Sequence, residues 1–169
     1  MTKYAKERSI PISALREHFL YDPDTGVITW RKPAARRCRA GEVAGIINDS
    51  GYVLLTLLST KLRGHRVAWA MHHGEWPDGE VDHINNNRAD NRLVNLRVAT
   101  RRQNASNQAG RGSNTGVKGV YWYRNRYMAL ARDQNGKTVY LGRHKLLDDA
   151  KAAYDEFVIK TRGEFARTD

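Results

Sequence analysis

Apolar positions along the chain change rhythm part-way. Ile12, Leu15 and Phe19 recur at helical spacing between Ile12 and Tyr21, after which DPDTG turns the chain into a short β-prone run, VITW at 27–30. GYVLLTLL at 51–58 reads as a strand. In HRVAWAMHHGEW, residues 65–76, Val67, Ala68, Met71 and His72 share a helical face that Gly74 ends. Beyond residue 116 the pattern is more regular, with strands over 117–123, 127–132 and 138–144 and the hairpin dipeptide Asn135-Gly136 between the last two. From Leu147 the period becomes helical. Ala150, Ala153, Tyr154, Phe157 and Val158 form one face, Asp148 and Asp149 open the helix, and Lys160, Arg162 and Gly163 close it. Strand alternation turns Val120, Trp122, Tyr127, Ala129, Ala131, Val139 and Leu141 toward that helix. Tyr121, Tyr123, Arg132, Thr138 and Tyr140 are left on an open face, with Arg124 and Arg126 at the connecting turn. The four tryptophans, Trp30, Trp69, Trp76 and Trp122, read as core residues.

ASNQAGRGSNTG, residues 105–116, is small and polar without apolar periodicity, which reads as a linker. The fold class is therefore α+β: a domain over 1–108, a linker over 109–116 and a small sheet-and-helix domain over 117–169. A length of 169 residues, 40% of them hydrophobic, allows two small domains with thin cores. The 29 Lys and Arg against 18 Asp and Glu give a net charge of +11, and each side of the linker carries part of the excess. Such a surface seeks polyanions, nucleic acid before membrane, because the basic residues lie mostly outside amphipathic helices. No apolar run of membrane-spanning length occurs, and the charged start MTKYAKERSIPIS lacks a signal-peptide core, so a cytoplasmic protein is expected. The single cysteine, Cys38, rules out an internal disulfide and a Cys-x-x-Cys zinc knuckle. The basic loop RKPAARRCR at 31–39 reads either as a phosphate contact or as a solvated charge run.

Residues 81–104, VDHINNNRADNRLVNLRVATRRQN, set four polar groups on an apolar frame of Val81, Ile84, Leu93, Leu96 and Val98. This suits two short strands joined by an Asn- and Arg-rich loop, followed by a helix with Thr100 as its N-cap. An acid and a histidine at the end of one strand would face an amide on that helix. Such a corner can hold a hard divalent cation through oxygen atoms while the imidazole stays free to accept a proton, which is a hydrolytic arrangement. His65, His72 and His73, beside an apolar helix pattern, read as core-edge or DNA-backbone residues rather than ligands.

These residues resemble the HNH, or ββα-metal, nuclease motif in its His-Asn-Asn form. From YDPDTGVITW through HRVAWAMHHGEWP to the 81–104 segment, the chain is similar to phage-type HNH homing endonucleases over about residues 15–108, with the ββα-metal core at about 79–108. The resemblance implies His83 as general base, Asn95 as the residue that orients its imidazole, and Asp82 and Asn104 as metal ligands. Asp90 and Asn91 are left to hold the loop. It also implies hydrolysis of double-stranded DNA with one divalent metal, Mg²⁺ by preference with Mn²⁺ substituting, and 5′-phosphate and 3′-hydroxyl ends. No protein partner and no membrane partner is implied. Arg97, Arg101 and Arg102 flank the site as phosphate clamps or as ordinary solvated charge.

The second half is similar to the DNA-binding domain of plant ethylene-response factors, carried by KGV at 118–120, MALAR, YLG and DDAKAAYDEF. That resemblance implies a sheet that enters the major groove, with Lys118 and Arg132 at basic contact positions. Tyr121, Tyr123 and Tyr140 stand where that family favours Arg or Trp, and Arg124 and Arg126 lie in a shortened turn. Tyr121 and Tyr140 are read as base contacts or as sheet-edge packing. The rival to a nuclease is a non-catalytic, sequence-specific DNA-binding regulator. An RNA-binding protein is disfavoured because the open sheet lacks the aromatic motifs of single-strand platforms.

Overall fold

The structure is a computed structural model that describes residues 4–33, 38–107, 113–166 and 168, without the side chains of Arg102, Ser106 and Asn107. The middle of the basic loop, with Arg36 and Arg37, and the linker stretch 108–112 lie outside the described residues. The chain divides into two compact units, 1–100 and 101–169.

In the first unit, α1 (Ala5–Arg8) and α2 (Ile12–His18) precede a two-stranded hairpin of β1 (Phe19–Tyr21) and β2 (Ile28–Trp30). The helix expected to reach Tyr21 stops at His18, because Phe19 turns extended to pair with Trp30, the two rings lying 4.8 Å apart. A three-stranded antiparallel sheet follows, β3 (Ile46–Ile47), β4 (Val53–Leu57) and β5 (Thr60–Arg63), and leads directly into α3 (Gly64–His73). The sequence pattern did not mark β5. Gly74, left-handed at φ 81°, caps α3 as expected. Strand β6 (Glu80–His83) and β7 (Leu96–Ala99) form the next antiparallel hairpin, joined by a long loop that ends in a 3-10 turn, Leu93–Asn95. Leu15, Phe19, Leu55, Leu57, Leu62, Val67 and Ala68 are fully shielded and form one core with Val81 and Leu96, whereas Ile84 and Val98 of the expected frame are exposed.

Arg66 crosses this core. Its side chain is fully buried, pairs with Glu7, donates to the carbonyls of Gly79 (2.7 Å) and Pro77 (3.2 Å), and lies 3.7 Å from the Tyr4 ring centre. The guanidinium thus ties α1 and the 77–79 segment to α3. Burial pushes the Glu7 carboxyl above its ordinary value, and Arg66 opposes that rise.

In the second unit, α4 (Arg101–Asn107) packs against a 3-10 turn at Gly163–Phe165, so the division falls at residue 100 rather than in the Gly/Ser/Asn-rich stretch. Strands β8 (Val120–Tyr123), β9 (Arg126–Arg132) and β10 (Thr138–His144) form an antiparallel sheet in the order β10-β9-β8, and α5 (Leu147–Arg162) covers it. Val120, Ala129 and Ala131 are buried beneath Ala150, Tyr154 and Val158. Gly119, at φ 75°, allows the Tyr154 ring to lie where a β-carbon would be, 2.1 Å from its nearest atom. Two differences from the expected sheet matter. Trp122, expected in the core, is 44% exposed: it lies one pair in from the hairpin turn and packs on Tyr127, 4.6 Å away between ring centres. A register shift between Tyr140 and Gly142 places Arg143 opposite Met128, in the row of Tyr121. Among the described residues no helix is long and apolar enough to cross a membrane.

Replacing Arg66 with Ala leaves Glu7 buried without its ion-pair partner and the Gly79 carbonyl without its donor, while the Pro77 carbonyl keeps only Arg8. The expected outcome is a loss of about 3–5 kcal/mol in urea unfolding followed by tryptophan fluorescence. Arg66→Lys recovers only part of it, since an ammonium cannot fork.

Candidate active site

The β6–β7 loop is a lattice of short hydrogen bonds among polar side chains. Asn95 Oδ1 accepts the Asn85 N–H (2.9 Å), and Asn95 Nδ2 donates to the Asp90 carbonyl (2.8 Å). Asn85 Nδ2 donates to Asp90 Oδ2, while Arg92 grips the same carboxylate through Nε (2.8 Å) and Nη2 (2.6 Å). That grip holds the Asp90 carboxyl far below its ordinary value. The DPDTG turn presses on this loop from outside: a β-carbon on Gly26 would fall 2.4 Å from the Arg92 nitrogen, and the Tyr21 hydroxyl donates to the Asn91 carbonyl at 2.8 Å.

The loop aims Asn91 at the end of β6. With its amide oxygen turned to the ring, Asn91 Oδ1 accepts from His83 Nε2 at 3.2 Å, so Nε2 carries the hydrogen and Nδ1 is the basic nitrogen. His83 is 4% exposed, and burial, the largest influence on it, lowers its affinity for a proton; Asn91 and the charges of Asp82 and Asp90 oppose that fall. A buried imidazole that is neutral and held in one tautomer is the state a proton acceptor needs. Gly64, the first residue of α3, leaves room for this contact: a β-carbon there would fall 2.8 Å from Val53 Cβ and 3.0 Å from Asn91 Nδ2.

Two further rings complete the pocket. The His65 ring meets His83 edge to face at 4.9 Å, and the Tyr52 ring lies 5.3 Å from His65 and 6.1 Å from His83. His65 is 3% exposed and its Nδ1 has no hydrogen-bond partner; burial holds its pKa well below the ordinary imidazole value.

The expected site residues are distributed as follows. His83 and Asp82 are buried neighbours on β6, but Asp82 turns to Arg97, whose Nε and Nη2 lie 3.1 and 3.0 Å from its Oδ2. Arg97, read as a phosphate clamp or solvated charge, is therefore held at Asp82 with only 10% of its side chain exposed. Asn95, expected to orient the imidazole, bonds to the loop backbone, and Asn91, expected to hold the loop, contacts the ring. Asn104 is half-buried on α4, within the second unit, as is exposed Arg101; the Arg102 side chain lies outside the described residues. In the second unit, Arg124, Arg126, Arg132 and Tyr140 are exposed, while Lys118 and Tyr121 are half-buried. The β8–β9 turn has Arg124 and Asn125 at positive φ, and the Arg124 guanidinium lies 5.2 Å from the Tyr123 ring.

A buried carboxylate such as Asp82 is an oxygen donor suited to a hard divalent cation that keeps several waters, and Asn104, the other expected donor, belongs to the second unit. The pairing of Asp82 with a guanidinium fits that chemistry, since this buried carboxylate is already arranged around a positive charge. Among the described residues no three His, Cys, Asp or Glu side chains gather as a metal-binding cluster.

Residues 63–106 match the family model for HNH endonuclease, a span that runs from Arg63 through α3 and the β6–β7 hairpin into α4. No curated protein and no solved structure matches the chain. The family match supports nuclease activity on DNA and a divalent metal, which such nucleases generally use.

The burial of His65 has a consequence for stability. Its folded-state pKa lies below the ordinary 6.5, so as pH falls below that value the unfolded chain takes up a proton that the folded chain refuses. Thermal unfolding of the full chain is expected to lose stability between pH 6.5 and 5. His65→Phe, which keeps a ring and removes the titration, is expected to flatten that loss.

Proposed function

We propose that the chain is a site-directed DNA endonuclease of the phage-type HNH homing class, acting in the cytoplasm of its host and leaving 5′-phosphate and 3′-hydroxyl ends. What supports the reading most is one contact: a buried, neutral His83 locked by Asn91 with Nδ1 as its basic nitrogen, inside the segment that matches the HNH endonuclease family.

Hydrolysis needs a water deprotonated in line with the departing 3′ oxygen. His83 Nδ1 takes that proton, and Asn91 accepts the Nε2 hydrogen that keeps the ring in this tautomer and stabilises the imidazolium as it forms. Asn95 and Arg92 hold the loop so that Asn91 does not move, and Tyr52 and His65 exclude solvent from the ring. Asp82 and Asn104 would hold the metal, Mg²⁺ by preference, which supplies Lewis-acid stabilisation to the phosphoryl and leaving oxygens.

The second unit would dock duplex DNA as an ethylene-response-factor-like sheet. Tyr121, Tyr123, Arg132 and Tyr140 occupy the face opposite α5, with Arg124 and Arg126 at its end and Arg143 added to it by the β10 register shift. Phosphate contacts by such arginines set position and affinity, and aromatic or guanidinium groups at base edges set sequence preference.

Supercoiled plasmid incubated with Mg²⁺ is expected to become nicked or linear, EDTA to stop it, and His83→Ala to abolish cutting while DNA binding survives. Uncut plasmid with intact, salt-sensitive binding would instead leave the regulator reading. Two asparagine variants differ in what they reach. Asn91→Ala is expected to lower kcat about ten- to hundredfold and also to lower the melting temperature, because it orphans the buried His83 Nε2 hydrogen. Asn95→Ala is expected to lower the melting temperature, because it orphans the Asn85 N–H and the Asp90 carbonyl.

A further inference from the structure

Acids in the first unit's pocket are already neutralised by their own arginines. Asp82 is held by Arg97 and Asp90 by Arg92, and elsewhere in the unit Arg66 is paired with Glu7 and Arg8 with Asp78. Arg63 and Arg88 differ. Among the described residues neither makes an ion pair with a carboxylate, although Glu7 feels the Arg63 charge, and both guanidinium carbons lie 4.9 Å from the centre of the Tyr52 ring. Arg63 is the last residue of β5 and leads into α3, while Arg88 belongs to the β6–β7 loop and donates through Nη1 to the Ser50 carbonyl at 3.0 Å. Both side chains are half-buried, so each charge is partly desolvated yet still reachable from solvent. The ring that carries them is the one packed 6.1 Å from His83.

Two guanidiniums held on one aromatic ring without an ion-paired carboxylate repel one another, and the cation–π contacts only partly offset that repulsion. The arrangement is relieved by an anion that both can grip. A guanidinium fork fits a phosphate with two parallel hydrogen bonds, and stacking on a ring reduces the freedom it would lose on binding.

We propose that Arg63 and Arg88, braced on Tyr52, form a phosphate clamp that seats the sugar-phosphate backbone of duplex DNA beside His83. The clamp is a positioning device. It rests on the nuclease reading for its purpose, but its binding chemistry can be measured without any cutting. Tyr52 acts through the two arginines by fixing where their forks point, and Ser50 anchors the Arg88 side from behind.

The test uses the full chain and a duplex oligonucleotide in EDTA, with affinity followed by fluorescence anisotropy over a salt series, and then plasmid cleavage with Mg²⁺. Arg63→Gln and Arg88→Gln are each expected to reduce the slope of log affinity against log salt by about 0.9, one counterion-releasing contact apiece. Each is also expected to raise KM about tenfold with kcat within about twofold, the loss of one charge-assisted contact shared by ground and transition states. Arg63→Lys and Arg88→Lys keep the charge and lose the fork. For them the slope stays at the wild-type value while affinity in EDTA falls about tenfold, and they decide the matter should a glutamine variant fail to fold. Slopes and affinities equal to wild type in these variants would overturn the clamp, as would a fall in kcat at unchanged KM. A wild-type chain that binds but does not cut defeats the nuclease reading alone and leaves the salt slopes to judge the clamp.

Discussion

Asn91 is the residue through which the first unit's polar loop and its buried histidine are joined. A ring as shielded as His83 needs a polar partner, because an imidazole N–H sealed from water without one is destabilising. That partner must arrive on a loop, and loops move. Three features hold it: the Tyr21 hydroxyl on the Asn91 carbonyl, the Gly26 turn against the Asn91–Arg92 backbone, and the absent side chain of Gly64 on the far side. Burial and the nearby carboxylates push the Tyr21 phenol up to about 12, so it remains a neutral donor wherever the protein is folded. The β1–β2 hairpin is therefore more than a lid on the core; it is the outer brace of the site.

What the sequence made legible follows from which interactions are local. The strand–turn–strand–helix order of the second unit could be read because alternation, Asn135-Gly136 and the charged helix ends act within a few residues, and β10 and α5 begin and end where the pattern predicts. The parity of Arg143 could not, since a one-residue shift at Tyr140/Gly142 depends on how β10 meets β9. Likewise motif spacing found His83 and the hairpin but could not rank Asn91 against Asn95. Both lie in one asparagine-rich loop, and only the closed lattice decides which amide turns to the ring and which to the loop backbone. Tyr52 lies just before β4, and Gly64 and His65 open α3, all outside the 81–104 motif, and nothing local to them announces a histidine pocket.

Charge in the first unit is distributed with the same logic. Aspartates at 82 and 90 would each be free acids in a solvated loop, and here each is bound by an arginine two or fifteen residues away, one on the loop and one across the hairpin. The effect is to remove negative charge from the place where a polyanion would come, without removing the oxygen donors themselves. The guanidinium on Asp82 leaves that buried carboxylate arranged around positive charge.

The two halves of the chain share the basic excess, and that division has a physical rationale. A small unit exposes few arginines on any one face, and phosphate contacts weaken steeply with salt, so on the proposed reading neither unit alone would hold duplex DNA firmly. Joined covalently, the second contact becomes intramolecular and its effective concentration is set by the connecting chain, which multiplies rather than adds the two affinities. The sheet of the second unit is the better place for sequence preference, since it presents tyrosines and arginines on a rigid face. The first unit then has to do only what a buried, tautomer-fixed imidazole does well, which is to wait in its neutral form for whatever phosphate is brought to it.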